Sequence, residues 1–258
     1  LGFSASRTMQ VAQRLYEGVE IGGETTGLIT YMRTDGVQMA PEAIEAARSM
    51  IGAEYGDKYL PEKPRIYSTK AKNAQEAHEA VRPTDFRRTP AQARKYLEAD
   101  QARLYEIIWK RAMASQMQPA EIERTTVEIE ASNASRTANL RAIGSVIRFD
   151  GFLAAYTEQK DEDAEDEDAR RLPEIKPGEA LSRKSVTVTQ HTTEPPPRYS
   201  EASLIKKMEE LGIGRPSTYA ATLKTLEDRD YVTIEKRRLM PQAKGRLVTA
   251  FLESFFER

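Results

Sequence analysis

The spacing of apolar residues changes at Pro119 and again at Pro195–Pro197, and these changes constrain the fold most. Before Pro119, apolar residues recur at helical spacing. Residues 125–130 alternate with a period of two, and similar segments at 140–149 and 186–189 predict an antiparallel β region of about 70 residues. After the stiff proline triplet, helical spacing returns. The sequence therefore predicts an α+β multidomain chain, because 258 residues are more than a single core usually serves.

Composition excludes several kinds of site. The chain has no cysteine, which excludes disulfides, thiolate metal sites and a cysteine nucleophile. Its only histidines, His78 and His191, are too few to favour a zinc site. No run of about 18 apolar residues occurs, so no membrane span is expected. The run at 161–168 is densely acidic, so the net charge of −1 conceals a mildly basic remainder that permits a nucleic-acid partner.

Three helices are predicted before Pro119, in addition to a short one at 73–81. Residues 5–17 form the first, and a glycine-rich loop at 18–27 follows. Pro41 begins the second, since proline is favoured at the first helical position. Thr89 caps a third, long amphipathic helix that extends to about Met117. Two aromatic side chains of this helix, Tyr105 and Trp109, are expected in the core or at an interface, and not in a base-stacking site.

The segment Gly27–Asp35 predicts a short strand that runs into a polar turn. Side chains alternate along a strand, so Ile29, Tyr31 and Arg33 are expected on one face. A phenol beside a guanidinium suits attack on a phosphate, with Tyr31 as nucleophile and Arg33 stabilising the developing charge. The alternative is that a tyrosine two residues from an arginine packs at the edge of a sheet.

A second candidate site lies before Pro83. Residues 73–81 predict a short helix that places His78 and Arg82 one turn apart. Two such donor groups can clamp a phosphate or contact a base edge. The alternative is an ordinary surface histidine beside a surface arginine.

The segment after the proline triplet predicts a helix, a turn, a second helix, a strand and a basic turn, an order similar to a winged-helix module. Ser200 caps the first helix, and the second starts at Ser217 or Thr218 because Pro216 bars continuation. Arg215, Ser217 and Thr218 at that helix start are a candidate phosphate site. Arg229 after the second helix either reaches a backbone phosphate or stabilises the helix C-terminus. A last apolar helix opens at Gly245, and with the Leu1 start it leads us to expect a piece of a longer protein.

Three motifs in fixed order resemble the bacterial members of the type IA DNA topoisomerase family. The motifs are Gly-Leu-Ile-Thr-Tyr-Met-Arg-Thr-Asp at 27–35, Ala-Gln-Glu-Ala-His-Glu-Ala-Val-Arg-Pro-Thr-Asp at 74–85, and Arg-Tyr-Ser-Glu-Ala-Ser-Leu with Gly-Ile-Gly-Arg-Pro-Ser-Thr-Tyr-Ala at 198–220. The resemblance covers essentially the whole chain. It implies a Tyr-bearing domain, part of an antiparallel β arch and part of a helical domain with a single-strand groove, at 1–118, 119–195 and 196–258.

The resemblance also implies roles for individual residues. Tyr31 matches the nucleophile that cuts one DNA strand and holds its end through a 5′-phosphotyrosine link, and Arg33 matches the arginine that binds the scissile phosphate. His78 matches a nucleotide-pocket histidine in the motif that contains Arg82. The remaining candidates match further DNA-contacting residues of the family; they are Arg215, Thr218 and Arg229.

The reaction implied by the resemblance is ATP-independent relaxation of negatively supercoiled DNA by strand cleavage, strand passage and religation. The implied partners are single-stranded and supercoiled DNA, and the implied setting is a monomer in the cytoplasm at the nucleoid. Mg²⁺ is implied for an acidic N-terminal domain that this sequence lacks, so no metal is expected on this chain and no relaxation by it alone. Gly36 departs from the serine usual in the family.

Two other functions compete with this reading. A non-catalytic winged-helix-like DNA-binding module would use residues 198–240 but leave the first two motifs unexplained. A tyrosine recombinase or type IB enzyme also attacks through tyrosine, but it carries that tyrosine near its C-terminus and links to the 3′-phosphate.

Overall fold

The structure, a computed structural model, describes residues 1–32, 36–68, 79–157, 172–173 and 175–256. Helices and three separate two-stranded antiparallel sheets make up this part of the chain, which agrees with the α+β prediction. The helices are α1 (Ala5–Glu17), α2 (Pro41–Glu54), α3 (Pro90–Ala93), α4 (Ala99–Ser115), α5 (Glu201–Leu211), α6 (Pro216–Asp228) and α7 (Ala243–Phe255). The strands are β1 (Val19–Ile21), β2 (Glu24–Thr26), β3 (Glu121–Ser132), β4 (Thr137–Phe149), β5 (Val232–Glu235) and β6 (Arg238–Pro241).

Helices α1, α2 and α4 enclose the main hydrophobic core. Leu15, Ile51 and Tyr105 are fully buried there, and Trp109 donates its indole N–H to the carbonyl of Phe86 at 3.0 Å. The predicted bounds of α1 and the predicted start of α2 at Pro41 are confirmed, as is burial of Tyr105 and Trp109.

Two predictions for this first region were wrong. The glycine-rich segment is not a plain loop, because β1 and β2 pair across a turn at Gly22 and Gly23, both with positive φ. The long helix is also interrupted: Thr89 caps only the short α3, and the chain is extended at Leu97 and Glu98. Gln101 then accepts a hydrogen bond from the backbone N–H of Glu98, so a new helix, α4, starts at this point.

The β region is smaller than predicted. β3 and β4 form one long antiparallel hairpin, but residues 186–189 are not a strand. Val186 and Val188 are 72% and 90% exposed, so their alternation has no core to bury against. At the root of the hairpin, the Tyr59 hydroxyl donates to the Asp150 carboxylate at 2.8 Å, and a Cβ on Gly151 would collide with the carbonyl of Pro119.

The last region contains α5, α6, the β5–β6 hairpin and α7. Ser200 caps α5 as predicted, and Gly212 ends it in the left-handed conformation (φ 70°). The second helix begins at Pro216, one or two residues earlier than predicted, because proline is tolerated at the first helical position. α7 likewise begins at Ala243, two residues before the predicted Gly245.

No helix in the described part of the chain is both long and apolar enough to span a membrane.

Candidate active site and the exposed start of a helix

The segment that carries Tyr31 is extended but is not a regular strand. Its only β-bridge among the described residues joins Ile29 to Pro83. Leu28 and Ile29 are both 1% exposed, so the predicted alternation of faces was wrong at this point. Both side chains enter the core because one bridge does not impose a regular pleat on the segment.

Backbone hydrogen bonds hold this segment on two sides. On one side the Leu28 N–H donates to the Leu15 carbonyl at the end of α1 (2.8 Å). On the other, the Thr30 N–H donates to the Arg82 carbonyl at 2.9 Å, and the Thr84 N–H donates to the Leu28 carbonyl at 3.0 Å. The Thr30 hydroxyl adds a bond to the Ala80 carbonyl at 2.7 Å. The backbone just before Tyr31 is therefore fixed to both α1 and residues 80–84.

The Tyr31 ring itself lies at the surface and is 48% exposed. It meets the ring of Tyr16, from the last turn of α1, edge to face with centroids 5.2 Å apart and planes at 63°. A large substrate can approach the phenol, while the backbone behind it stays anchored in the core.

Arg82 directs its guanidinium into the protein. Its Nε and Nη2 donate to the two carboxylate oxygens of Glu79 at 2.8 and 2.9 Å, and Nη1 donates to the Pro83 carbonyl. Glu79 also accepts the Ala40 N–H at 2.6 Å. Burial opposes ionisation of Glu79, but the bonds from Arg82 and Ala40 outweigh it and lower the pKa of the carboxyl. Glu79 thus ties residues 79–83 to the start of α2, and Arg82 holds the Glu79 carboxylate in place.

Arg33 and His78 lie outside the described residues, as does most of the helix predicted at 73–81. Of that prediction, residues 79–81 are described, and they are not helical. Arg82 is the candidate site residue of the second motif whose position relative to the Tyr31 segment is described: its carbonyl accepts the Thr30 N–H.

The third motif forms the exposed start of α6. Arg215 is the N-cap, and its backbone N–H donates to the Thr218 hydroxyl at 2.9 Å, which in turn donates to the Arg215 carbonyl at 3.0 Å. Arg215, Ser217 and Thr218 are exposed. The start of a 13-residue helix presents free N–H groups and a positive dipole end, which favours anions. Arg229 is the exposed C-cap at the other end of α6.

Helix α1 connects the two candidate areas. Its C-terminal end contacts the Tyr31 segment, and its body packs against α6. At its N-terminal end the Ala5 N–H donates to the Glu201 carboxylate of α5 at 2.6 Å. The region with Tyr31 and the region with Arg215 are thus in direct contact in this structure.

A sequence model of the family described as DNA topoisomerase matches residues 1–258. The chain belongs to the DNA topoisomerase family. It is 55% identical over 258 residues to DNA topoisomerase 1 of Rickettsia felis, a match that covers 100% of this chain and 33% of that protein. DNA topoisomerase 1 of Zymomonas mobilis is 56% identical over 262 residues, covering 100% of this chain and 20% of that protein.

Solved topoisomerase structures confirm the fold. Full-length topoisomerase I from Thermotoga maritima in a monoclinic crystal form superposes with a TM-score of 0.83 at 38% sequence identity, covering 98% of this chain and 39% of that chain. The resemblance to the type IA topoisomerases and the corresponding fold class are therefore confirmed. The chain spans about a third or less of the length of the curated relatives described above.

This topoisomerase chain also contains site neighbours that sequence reasoning missed. Tyr16, in the last turn of α1, is 40% exposed and lies against Tyr31. Glu79 and Glu201 were not singled out. The backbone N–H groups that they accept, from Ala40 and Ala5, are 39 and 196 residues away, and no local spacing reveals these contacts.

Within the described part of this topoisomerase chain, no three His, Asp or Glu side chains are grouped to hold a metal ion. The described residues therefore do not form a Mg²⁺ site.

Proposed function

We propose that this chain supplies the nucleophile of a type IA topoisomerase, which relaxes negatively supercoiled DNA without ATP. The observation that carries the proposal is an exposed phenol, Tyr31, on a segment whose backbone is fixed in the core. The family membership and the bacterial DNA topoisomerase 1 relatives support it.

In the proposed step the Tyr31 oxygen attacks a DNA backbone phosphorus. A Tyr–O–P bond forms to the phosphate at the newly created 5′ end, while the bond from phosphorus to the 3′ oxygen of the preceding nucleotide breaks. The phenol loses its proton and the 3′ oxygen gains one. The energy of the phosphodiester stays in the phosphotyrosine, so the reverse attack by the 3′ hydroxyl reseals the strand after the intact strand has passed.

Charge on the attacked phosphate is proposed to be stabilised by Arg33, because a guanidinium binds phosphate oxygens in a bidentate manner. His78 is proposed to bind a nucleotide near the break. Arg82 is proposed to contribute to the same pocket, and its inward ion pair with Glu79 supports a role in shaping that pocket.

Strand binding is proposed for the exposed start of α6. Arg215, Ser217 and Thr218 combine a guanidinium, hydroxyls and the positive end of a helix dipole, which suits a backbone phosphate. Arg229 at the far end of α6 is proposed to contact a second phosphate. These contacts position DNA without reading its sequence.

We propose several further properties for a longer protein that contains this chain. They include Mg²⁺ held by an acidic domain outside residues 1–258, single-stranded and negatively supercoiled DNA as partners, a monomeric state and action in the cytoplasm at the nucleoid. Support comes from the bacterial DNA topoisomerase 1 relatives, of which this chain spans a third or less.

The test is Tyr31→Phe in the longer protein, with Tyr96→Phe as the matched control, since the two rings are 48% and 49% exposed. We expect Tyr31→Phe to abolish covalent DNA capture on denaturing gels while single-strand affinity changes less than about twofold, because only the phosphate-attacking oxygen is lost. Tyr96→Phe should capture DNA normally. A covalent adduct that persists in Tyr31→Phe would contradict the proposal.

A second candidate is a non-catalytic DNA-binding module formed by α5, α6 and the β5–β6 hairpin. It is favoured by the observed helix, turn, helix and two-stranded wing, in which Lys236 and Arg237 occupy the turn with positive φ. If this second function is correct, the parent protein and both tyrosine variants bind DNA. None of the three then forms a covalent adduct.

A further inference from the structure

We infer that Tyr16 is a positioning residue for the Tyr31 nucleophile: its ring fixes the direction of the Tyr31 phenol toward the phosphate. The inference rests on the proposed function and concerns how the same site is held.

The two rings meet in a preferred geometry. Their centroids are 5.2 Å apart and their planes lie at 63°, within the edge-to-face range in which aromatic pairs attract. With this contact in place the Tyr31 side chain is 48% exposed. The contact therefore restricts rotation of the Tyr31 side chain, which the backbone hydrogen bonds of Leu28 and Thr30 do not fix.

The backbone of Tyr16 is itself fixed to the Tyr31 segment. A Cβ on Gly27 would lie 2.7 Å from the Tyr16 carbonyl oxygen, so the close approach requires glycine there. The next residue, Leu28, donates its N–H to Leu15 at 2.8 Å. Because both backbones are held at this crossing, the two rings meet in a defined position and not by chance contact of mobile side chains.

Tyr16 is less buried than its neighbour in the core. It is 40% exposed, whereas Leu15 beside it is fully buried. Replacement of its ring by another apolar side chain therefore costs less burial than a change at Leu15 would, and it removes the contact with Tyr31. In-line attack needs the phenol oxygen placed before the phosphate arrives, so loss of this contact is expected to slow cleavage.

The experiment measures single-turnover cleavage of a single-stranded oligonucleotide by the longer protein. Tyr16→Leu keeps an apolar side chain and removes the ring, and Tyr16→Phe keeps the ring. We expect Tyr16→Leu to slow cleavage by about three- to tenfold, the range of one aromatic pair. Tyr16→Phe should stay within about twofold of the parent, because the ring contact is preserved. Oligonucleotide affinity and melting temperature should be unchanged in both.

The inference is overturned if Tyr16→Leu cleaves at the parent rate, if Tyr16→Phe is as slow as Tyr16→Leu, or if the loss of rate follows a loss of melting temperature. Failure of the proposed function looks different: the parent protein itself then forms no adduct on Tyr31. Tyr96→Leu serves as the control for removing an exposed tyrosine ring elsewhere.

Discussion

The region around α1, α2 and α4 and the region of α5 to α7 are both mainly helical, but they bury apolar surface very differently. The largest fully buried side chains, such as Tyr105, Phe86 and Leu15, all precede residue 118. After residue 195 the described buried residues are few, namely Met208, Tyr219, Leu223 and Leu239. α7 exposes a whole apolar face, with Leu247 at 72% and Phe255 at 70%.

The difference matches the roles proposed for the two regions. A nucleophile has to be placed within a fraction of an ångström, and the Tyr31 segment is anchored in a closed core. Backbone-phosphate contacts tolerate more adjustment, and the Arg215–Thr218 helix start lies exposed at the edge of the second region. Rigidity is concentrated where covalent chemistry is proposed to occur.

The largest expected effect is on the free energy of unfolding, when the same leucine-to-alanine substitution is made in each of the two regions. Leu15→Ala should lower the free energy of unfolding by about 2–5 kcal/mol, since a fully buried leucine is lost from a closed core. Leu247→Ala on α7 should change it by less than about 0.5 kcal/mol. Denaturant unfolding followed by the fluorescence of Trp109, the single tryptophan and a core residue, measures both. Equal losses of unfolding free energy in the two variants would contradict the difference in burial between the two regions.

A smaller effect is expected from the ion pair beside the Tyr31 segment. Glu79→Gln should cost about 1.5–3 kcal/mol at neutral pH, because Arg82 loses a charged, bidentate partner. The pKa of Glu79 is lowered in the folded protein, so its contribution is complete above the unfolded value of about 4.3. The contribution is lost as the pH falls through the lower folded value.

Stability curves between neutral and acidic pH test this prediction. The Glu79→Gln difference should shrink at the acidic end. Glu128→Gln is the control, because its pair with Arg141 is exposed on both sides and is expected to contribute less than about 1 kcal/mol. A Glu79→Gln cost that is independent of pH would show that the charge of Glu79 is not what stabilises the segment.

The smallest effect concerns the contact between the two regions. Glu201→Ala removes the acceptor of the Ala5 N–H at the start of α1 and should weaken docking of the regions by about 1 kcal/mol, roughly a fivefold shift. The chain has no cysteine, so Ala53→Cys on α2 and Glu209→Cys on α5 allow two dyes for energy transfer. A larger separated population is expected in Glu201→Ala, and an unchanged distribution would show that Glu201 does not hold the regions together.

Local sequence patterns correctly predicted helix ends that are set by neighbouring residues. The bounds of α1, the Pro41 start of α2 and the Ser200 cap of α5 follow from spacing and capping residues alone. Alternation at 186–189 predicted a strand wrongly, since a strand needs a partner and a face to bury. The strands beside Gly22–Gly23 were missed because three residues each are too short for a periodic signal.

The candidate site shows the same limit. Motifs identify Tyr31 and Arg215 as residues of interest, but the contacts that position them are distant in sequence. Only the fold brings together three of these contacts: the Tyr16 ring with Tyr31, the Glu79 carboxylate with the Ala40 N–H, and the Glu201 carboxylate with the Ala5 N–H. Their spacing along the chain carries no periodic signal.

The most direct test of the account maps the trapped DNA adduct of the longer protein to a residue and a polarity. The covalent complex is digested, and the nucleotide-bearing peptide is sequenced by mass spectrometry. We expect a 5′-phosphate on Tyr31, one of 11 tyrosines in this chain. An adduct on any other residue, or a link to a 3′-phosphate, would contradict it.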